Sequence, residues 1–290
     1  MKPAPFDYYA PQSLAEALGL LTKFGEAAKP LAGGQSLVPM MNFRLARPAH
    51  VVDLNRLREL NYLKTENGEL RIGAMTRQRA LERSAGVFGG WPLLEQATRH
   101  IGHVHIRNRG TVGGSLAHAF PCAELPVAMT ALGASFVLRS EHAERVVAAK
   151  DFFVDVMTTL LQPGELLVEI RVPQARARSG SSFQEISRRH GDFALAGAAG
   201  VVVLQPDGTI GQVDLVFAGA TPLQSSKTAT LIGQRPDTAR FKEVASVAAT
   251  ELDCSSDIHA SAEYRREASK ALARRVLEQA AARAAGSNVR

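Results

Sequence analysis

Two glycine pairs constrain this chain more than any other feature. One lies in "LAGGQSLVPMMNFRL" at 31–45 and the other in "IRNRGTVGGSLAHAFP" at 106–121, and each directly follows a short apolar residue or two. A hydroxyl, Ser36 or Ser115, stands within two residues of each pair. Glycine permits close backbone approach and positive φ, which a nest of N–H groups around an anion requires. Three of the six residues at 110–115 are glycine, with Thr111 and Ser115 as further donors. Two readings stand side by side: loops gripping one anionic ligand from two sides, or plain tight turns, in which glycine pairs are common. Neither pair is part of GxxxxGK[ST], which removes the P-loop. No GxGxxG lies between a strand and a helix, which removes the dinucleotide-binding signature.

The segments around the pairs alternate helix and strand. "SLAEALGLLTKFG" has Ser13 as N-cap, Glu16 completing a capping box, Leu14, Ala17, Leu18 and Leu21 on one face, and Gly25 as its stop. "HVVDL" and "LRIGAM" read as strands, "TRQRALERS" and the Pro92-opened "WPLLEQATRHIG" as helices, and 110–115 as a loop. "CAELPVAMTALG" follows as a helix stopped by Gly133, then strands "SFVLR" and "LLVEIRV". Residues 173–182, "PQARARSGSS", read as a linker. Beyond it, "ALAGAAGVVVL" and "QVDLVFAG" form a hairpin around Asp207-Gly208, and a helix from about Ser261 carries Tyr264, Ala268, Ala271, Leu272 and Val276 on one face.

Composition narrows the partners. A net charge of +6 invites a nucleic-acid reading, but the basic residues are scattered and aromatics are only 6%, so stacking platforms are missing. A basic face for an acidic partner or an anionic cofactor fits better. No stretch approaches eighteen uninterrupted apolar residues and no apolar run follows the start, so the chain is expected to have no transmembrane segment and to stay in the cytoplasm. Two cysteines, Cys122 and Cys254, are too few for an iron–sulfur cluster or a four-thiolate zinc site. His100, His103, His105 and His118 match no metal-ligand spacing, so no metal site is expected.

Several segments in order resemble one family. "AGGQSLVPMMNFRLARPAHVVDL", "QATRHIGHVHIRNRGTVGGSLAHAFPCAELP", "LQPGELLVEIRVP", "SRRHGDFALAGAA", "FAGATPLQSSKTATLIG" and "AEYRREASKALARRVLEQA" resemble the FAD-binding medium subunit of the molybdenum hydroxylases, the family of carbon monoxide dehydrogenase and xanthine dehydrogenase. The resemblance implies an α+β chain: a two-subdomain FAD-binding fold of the vanillyl-alcohol oxidase (PCMH) type over 1–175, with subdomains about 1–57 and 58–175. A C-terminal α/β domain with a small antiparallel sheet would occupy 176–290. FAD, held noncovalently, would lie between the subdomains. Ala32, Gly33, Gly34, Gln35, Ser36 and Leu37 on one side and Thr111, Val112, Gly113, Gly114 and Ser115 on the other would hold its diphosphate.

Other positions carry over singly by the same resemblance. Glu124 would accept from the ribityl hydroxyls, Ala117 and His118 would line the ribityl and ring region, and Ile101 and Leu167 would pack near the flavin. Asp192 falls in the family's Arg-x-x-Asp element, although it could simply pair with Arg188. Three positions depart from the pattern. Phe120 stands for a small or acidic residue and His105 for a glutamine; Gln184 stands for a lysine that some relatives place near the cofactor, so cationic help there comes from Arg188 or Arg189 or is absent. The resemblance further implies a large molybdopterin-binding subunit, a small subunit with [2Fe-2S] clusters, and a dimer of heterotrimers. Electrons would pass from the clusters through this FAD to an external acceptor, and the substrate would be chosen on another chain. The rival readings are a self-sufficient FAD oxidase of the same fold and a scaffold that has lost its flavin.

Overall fold

Ser13 starts the first helix as its sequence predicts: the hydroxyl accepts the N–H of Glu16 at 3.2 Å, and Gly25 ends the helix at φ +53. The Glu16 carboxylate takes the N–H of Gln12 at 2.7 Å, so the capping box closes one residue earlier than the usual pattern. The structure, a computed structural model, describes residues 2–219 and 221–287, with Phe88 described by its backbone alone. Met1, Ala220 and 288–290, which fall within the expected domains and the segment 217–233, lie outside the described residues.

The N-terminal unit runs β1 (Asp7–Tyr9), α1 (Leu14–Phe24), β2 (Ala28–Leu31), α2 (Leu37–Asn42) and β3 (His50–Asp53). Its three strands are parallel in the order β1-β3-β2. Leu14, Ala17, Leu18 and Leu21 of α1 are buried against Val52 and Leu54, as their spacing predicts.

A second unit follows, with β4 (Leu63–Glu66) and β5 (Glu69–Gly73), then six helices: α3 (Gln78–Arg83), α4 (Ala85–Gly90), α5 (Pro92–His100), α6 (Val104–Arg109), α7 (Val112–His118) and α8 (Glu124–Ala131). After them come β6 (Ser135–Arg139), β7 (Glu144–Ala148), α9 (Ala149–Phe152), β8 (Phe153–Asp155), β9 (Thr158–Thr159) and β10 (Leu166–Pro173). Five strands make an antiparallel sheet in the order β4-β5-β10-β6-β7. The period-two alternation of a strand sends Phe136, Leu138 and Leu167 into the core shared with α5 and α8, and Val137, Leu166 and Val168 into the core of α1. One sheet therefore joins two apolar cores, and the glycine pairs lie along that seam.

The remainder holds β11 (Ser179–Ser187), β12 (Ala194–Leu204), β13 (Ile210–Phe217), β14 (Leu223–Gln224), α10 (Thr238–Ala248) and α11 (Ala262–Ala284). The strands form an antiparallel meander in chain order, and Gly208 at φ +86 makes the expected turn. Ala196, Ala198, Val202 and Leu204 of β12 face α10 and α11, while Ala199, with Phe183 and Val216, joins the core of α5 and α8. Both faces of this sheet are covered. Two expectations need correction. The expected linker at 173–182 is shorter, because β11 starts at Ser179 and Gly180, Ser181 and Ser182 are buried in the sheet. Tyr264 is 47% exposed, since the buried stripe of α11 starts a turn later and runs through Ala268, Leu272, Ala273, Val276 and Leu277. Among the described residues no helix is long and apolar enough to cross a membrane.

Candidate functional site

β2 delivers the first glycine pair at the carboxyl end of a parallel strand, where open α/β sheets tend to place ligands. There it meets the second. A β-carbon at Gly33 would stand 2.5 Å from the carbonyl oxygen of Arg109 and 2.8 Å from Gly110 Cα, so this contact tolerates only glycine. One at Gly114 would stand 2.6 Å from Thr111 Oγ1 and 3.3 Å from Ala32 Cβ. The two segments, eighty residues apart in sequence, are one surface.

Their donors are not equivalent. The second pair is no loop: Val112–His118 is helical, with Thr111 as N-cap. Val112 N–H donates to the Thr76 carbonyl and Gly113 N–H to the Ala74 carbonyl, each at 2.9 Å. Gly114 N–H donates to Thr111 Oγ1 at 3.0 Å. The first-turn amides of α7 are thus committed within the chain. What stays free on this side is the Thr111 hydroxyl proton and the Ser115 hydroxyl, which has no partner among the described residues. The first pair is the reverse case: among the described residues the N–H groups of Gly33, Gly34, Gln35, Ser36 and Leu37 meet no acceptor. Gly34 holds φ +74, and Gln35 Nε2 donates to the Gly33 carbonyl at 3.2 Å. Run together at a helix start, such amides make an anion cradle.

Residues with no motif brace the cradle. Asn55 Nδ2 donates to the Ala32 carbonyl at 2.9 Å and also to Asp53 Oδ1. Arg77 donates through one nitrogen to Asn55 Oδ1 at 2.6 Å and through the other to the Arg109 carbonyl. Burial, then the nearby Arg109 charge, lowers the Arg77 guanidinium from its ordinary value. Burial alone would raise the Asp53 carboxyl, but bonds from Tyr8 and Asn55 outweigh it and hold it below the usual range. Nothing in the sequence singles out Asn55 or Arg77; the signal is only their position just after β3 and just before α3.

Further along, α7 ends at Ala119, which takes φ +48, and sets the His118 ring half-buried beside Ala117. Burial lowers the His118 imidazole. Phe120 stacks on it, with centroids 6.1 Å apart at 11°, and also meets the tilted ring of Phe193 at 4.5 Å. Glu124 opens α8 with its side chain half-buried. Ile101 and Leu167 are core residues, 8% and 6% exposed. The Ile101 carbonyl accepts from buried Arg107 at 2.7 Å, whose other nitrogens grip Glu82 at 2.9 and 3.1 Å. Asp192 pairs with Arg188 at 3.7 Å. His105 is exposed beside the His103 ring, and Gln184 sits in β11 opposite Ala198. Among the described residues no group of three or more His, Cys, Asp or Glu side chains could hold a metal ion.

Residues 4–175 match the family described as the FAD binding domain in molybdopterin dehydrogenase, and 181–280 match the CO dehydrogenase flavoprotein C-terminal domain. The 6-hydroxypseudooxynicotine dehydrogenase complex subunit alpha of Paenarthrobacter nicotinovorans is 40% identical over 98% of this chain and 97% of its own. Caffeine dehydrogenase subunit beta of Pseudomonas sp. (strain CBB1) is 39% identical over the same shares. Among solved structures, carbon monoxide dehydrogenase from Hydrogenophaga pseudoflava superposes with a TM-score of 0.95 at 36% identity, covering 98% of this chain and 99% of that one. The chain belongs to the FAD-binding medium subunits of the molybdenum hydroxylases. It is a subunit of an oxidoreductase complex, and its cofactor is FAD. In this family member the residues fit that group. Five uncommitted amides on the first segment and two hydroxyls on the second suit a diphosphate, and the missing β-carbons at Gly33 and Gly114 keep both segments in one place.

Proposed function

We propose that this chain holds one noncovalent FAD per copy and relays electrons from iron–sulfur clusters on a small partner subunit to an external acceptor. The amides of Gly33 to Leu37, with the hydroxyls of Ser36, Thr111 and Ser115, hold the diphosphate. Ala32, Val112, Gly113 and Gly114 shape the cradle without donating to it. Glu124 accepts from the ribityl hydroxyls, and Ala117 and His118 line the path toward the ring. Ile101 and Leu167 supply the apolar backing. Asp192 acts on the cofactor only through the loop that its pairing with Arg188 shapes.

The single observation behind this reading is the contrast between the two segments: free amides at 33–37 against committed ones at 112–114. A run of unpaired backbone donors persists where a ligand satisfies it. Bound FAD supplies the redox chemistry, accepting electrons and passing them on, while the chain supplies binding, orientation and a field. The relatives are named for substrates as different as caffeine and carbon monoxide, yet match this chain over nearly its full length. That agrees with substrate choice on a large molybdopterin-binding subunit. We further propose a dimer of heterotrimers in the cytoplasm. The test is the visible spectrum of the purified chain after acid precipitation. Yellow colour, at about one FAD per chain, belongs in the supernatant; colour in the pellet refutes noncovalent binding.

A further inference from the structure

Arg77 belongs to both segments of the cradle. Its backbone pairs with the second: Val112 N–H donates to the Thr76 carbonyl and Gln78 N–H to the Gly110 carbonyl, each at 2.9 Å, which makes an antiparallel bridge between Arg77 and Thr111. Its side chain forks. One terminal nitrogen donates to the Arg109 carbonyl, whose oxygen leaves no room for a β-carbon at Gly33, and the other donates to Asn55 Oδ1 at 2.6 Å. The Asn55 amide carries the grip to the first segment, with Nδ2 donating to the Ala32 carbonyl at 2.9 Å.

The orientation of that amide is fixed by its neighbours. Its nitrogen faces two oxygens, those of Ala32 and Asp53, and its oxygen faces the guanidinium; a flipped amide would set oxygen against oxygen and donor against donor. Asp53 is itself held by the Tyr8 hydroxyl at 2.5 Å and by the Asn55 N–H at 2.9 Å. What this chain of bonds fixes is a peptide. The Ala32 carbonyl and the Gly33 N–H share one trans peptide plane and point opposite ways, so holding the carbonyl on Asn55 turns the uncommitted N–H away from that side. Asp53, bonded to the same amide, opposes the guanidinium's charge, so what Arg77 adds is its rigid planar fork, which an ammonium lacks.

We propose that Arg77 is a positioning residue for the diphosphate: its fork holds the Arg109 carbonyl and the Asn55 amide at one separation, and so sets the spacing of the two glycine segments and the aim of the Gly33 amide. This rests on the placement of the FAD diphosphate in the cradle. A side chain that reaches only one of the two acceptors leaves one segment free to drift, whatever its charge.

The test is titration of FAD, read by flavin fluorescence quenching, into the flavin-free full chain, alone and in its assembled complex. Arg77→Met is expected to weaken binding about 30-fold. Arg77→Lys, which keeps the charge and loses the fork, should stay within about threefold of Arg77→Met. Asn55→Asp, nearly the same shape but without the donor to Ala32, should also bind more weakly than the natural chain. The double variant Arg77→Met with Asn55→Ala should lose no more than the worse of its single variants, because the bonds form one chain. At saturating FAD the phosphorus NMR resonances of the bound diphosphate should move in Arg77→Lys while the flavin absorption band does not; a role confined to stability would leave those resonances in place. Natural affinity or unmoved resonances in Arg77→Lys, or additive losses in the double variant, overturn the proposal and leave the cofactor reading standing. A natural chain that binds no FAD in either setting overturns that reading, and this one with it.

Discussion

Gly33 is the residue on which the union of the two segments depends, because the atom its side chain would displace is a backbone carbonyl. Thr111 Oγ1, the neighbour of Gly114, can rotate away; the Arg109 carbonyl cannot move without the chain. Gly33→Val should therefore weaken FAD binding by about 100-fold, ~2.7 kcal/mol, more than Gly114→Ala does, while far-ultraviolet circular dichroism stays unchanged. Equal affinities for Gly33→Val and the natural chain, read by flavin fluorescence quenching, would remove the first segment from the cradle. Glu124 carries a second expectation, in the apoprotein's stability. Its folded carboxyl titrates near 8 against an ordinary 4.5, so as pH rises the unfolded chain loses the proton first. Stability contributed by the neutral acid is present below about 4.5 and lost progressively up to about 8. Glu124→Gln should gain on the natural chain across that window, by at least ~1 kcal/mol in urea melts at pH 8 relative to pH 5. No pH-dependent gain would mean that Glu124 is already paired.

At the scale of elements, α6 is tied down by one side chain. Arg107 is 5% exposed, binds Glu82 of α3 with two nitrogens, and satisfies the carbonyls of Ile101 and Gly102 in the turn before α6. Removing it leaves Glu82 with Arg79 as its remaining partner at 2.7 Å and two carbonyls without their donor, which for a largely buried pair costs roughly 3 kcal/mol. Arg107→Met should lower the urea midpoint accordingly, whereas an unchanged midpoint would show the pair to be dispensable. Elements built on local rules were legible in the sequence: Ser13 and Gly25 bracket α1, and Pro92 opens α5 as its fixed φ allows. The helix α7 was not. Gly113 and Gly114 each cost about 1 kcal/mol in a helix relative to alanine, so the stretch reads as a loop. What makes it helical is tertiary, since Thr76 and Ala74 accept the first amides from nearly forty residues away. The same distance hid which glycine segment has donors to spare. Motif and hydroxyls marked the place of the site, but the commitment of each N–H depends on partners that no spacing rule connects to it. Asn55 and Arg77 escaped for that reason too.

For the whole molecule, the decisive property is what the chain lacks when alone. Its two cysteines, Cys122 and Cys254, are free and far too few to carry a cluster, and among the described residues no side-chain group could hold a metal. On the proposed relay, electrons from an organic substrate reach the FAD only through partner subunits. The isolated flavoprotein should leave caffeine, purines, N-heterocycles and carbon monoxide untouched. Dithionite should nonetheless bleach its flavin band, and an added acceptor should restore the colour at a measurable rate. Reassembly with the large and small subunits should make bleaching depend on the substrate of the complex. Stopped-flow absorbance at the flavin band separates the cases: rapid bleaching of the lone chain by an organic substrate would mean that the substrate pocket lies here, and would make it a self-sufficient oxidase. Full bleaching only in the assembled complex, with the isolated chain competent toward dithionite, places the chemistry on the partner and the relay on this chain. The proposed relay predicts the second outcome, and the contacts of the His118 ring with Phe120, and of Phe120 with Phe193, then serve to pack the wall beside Ala117.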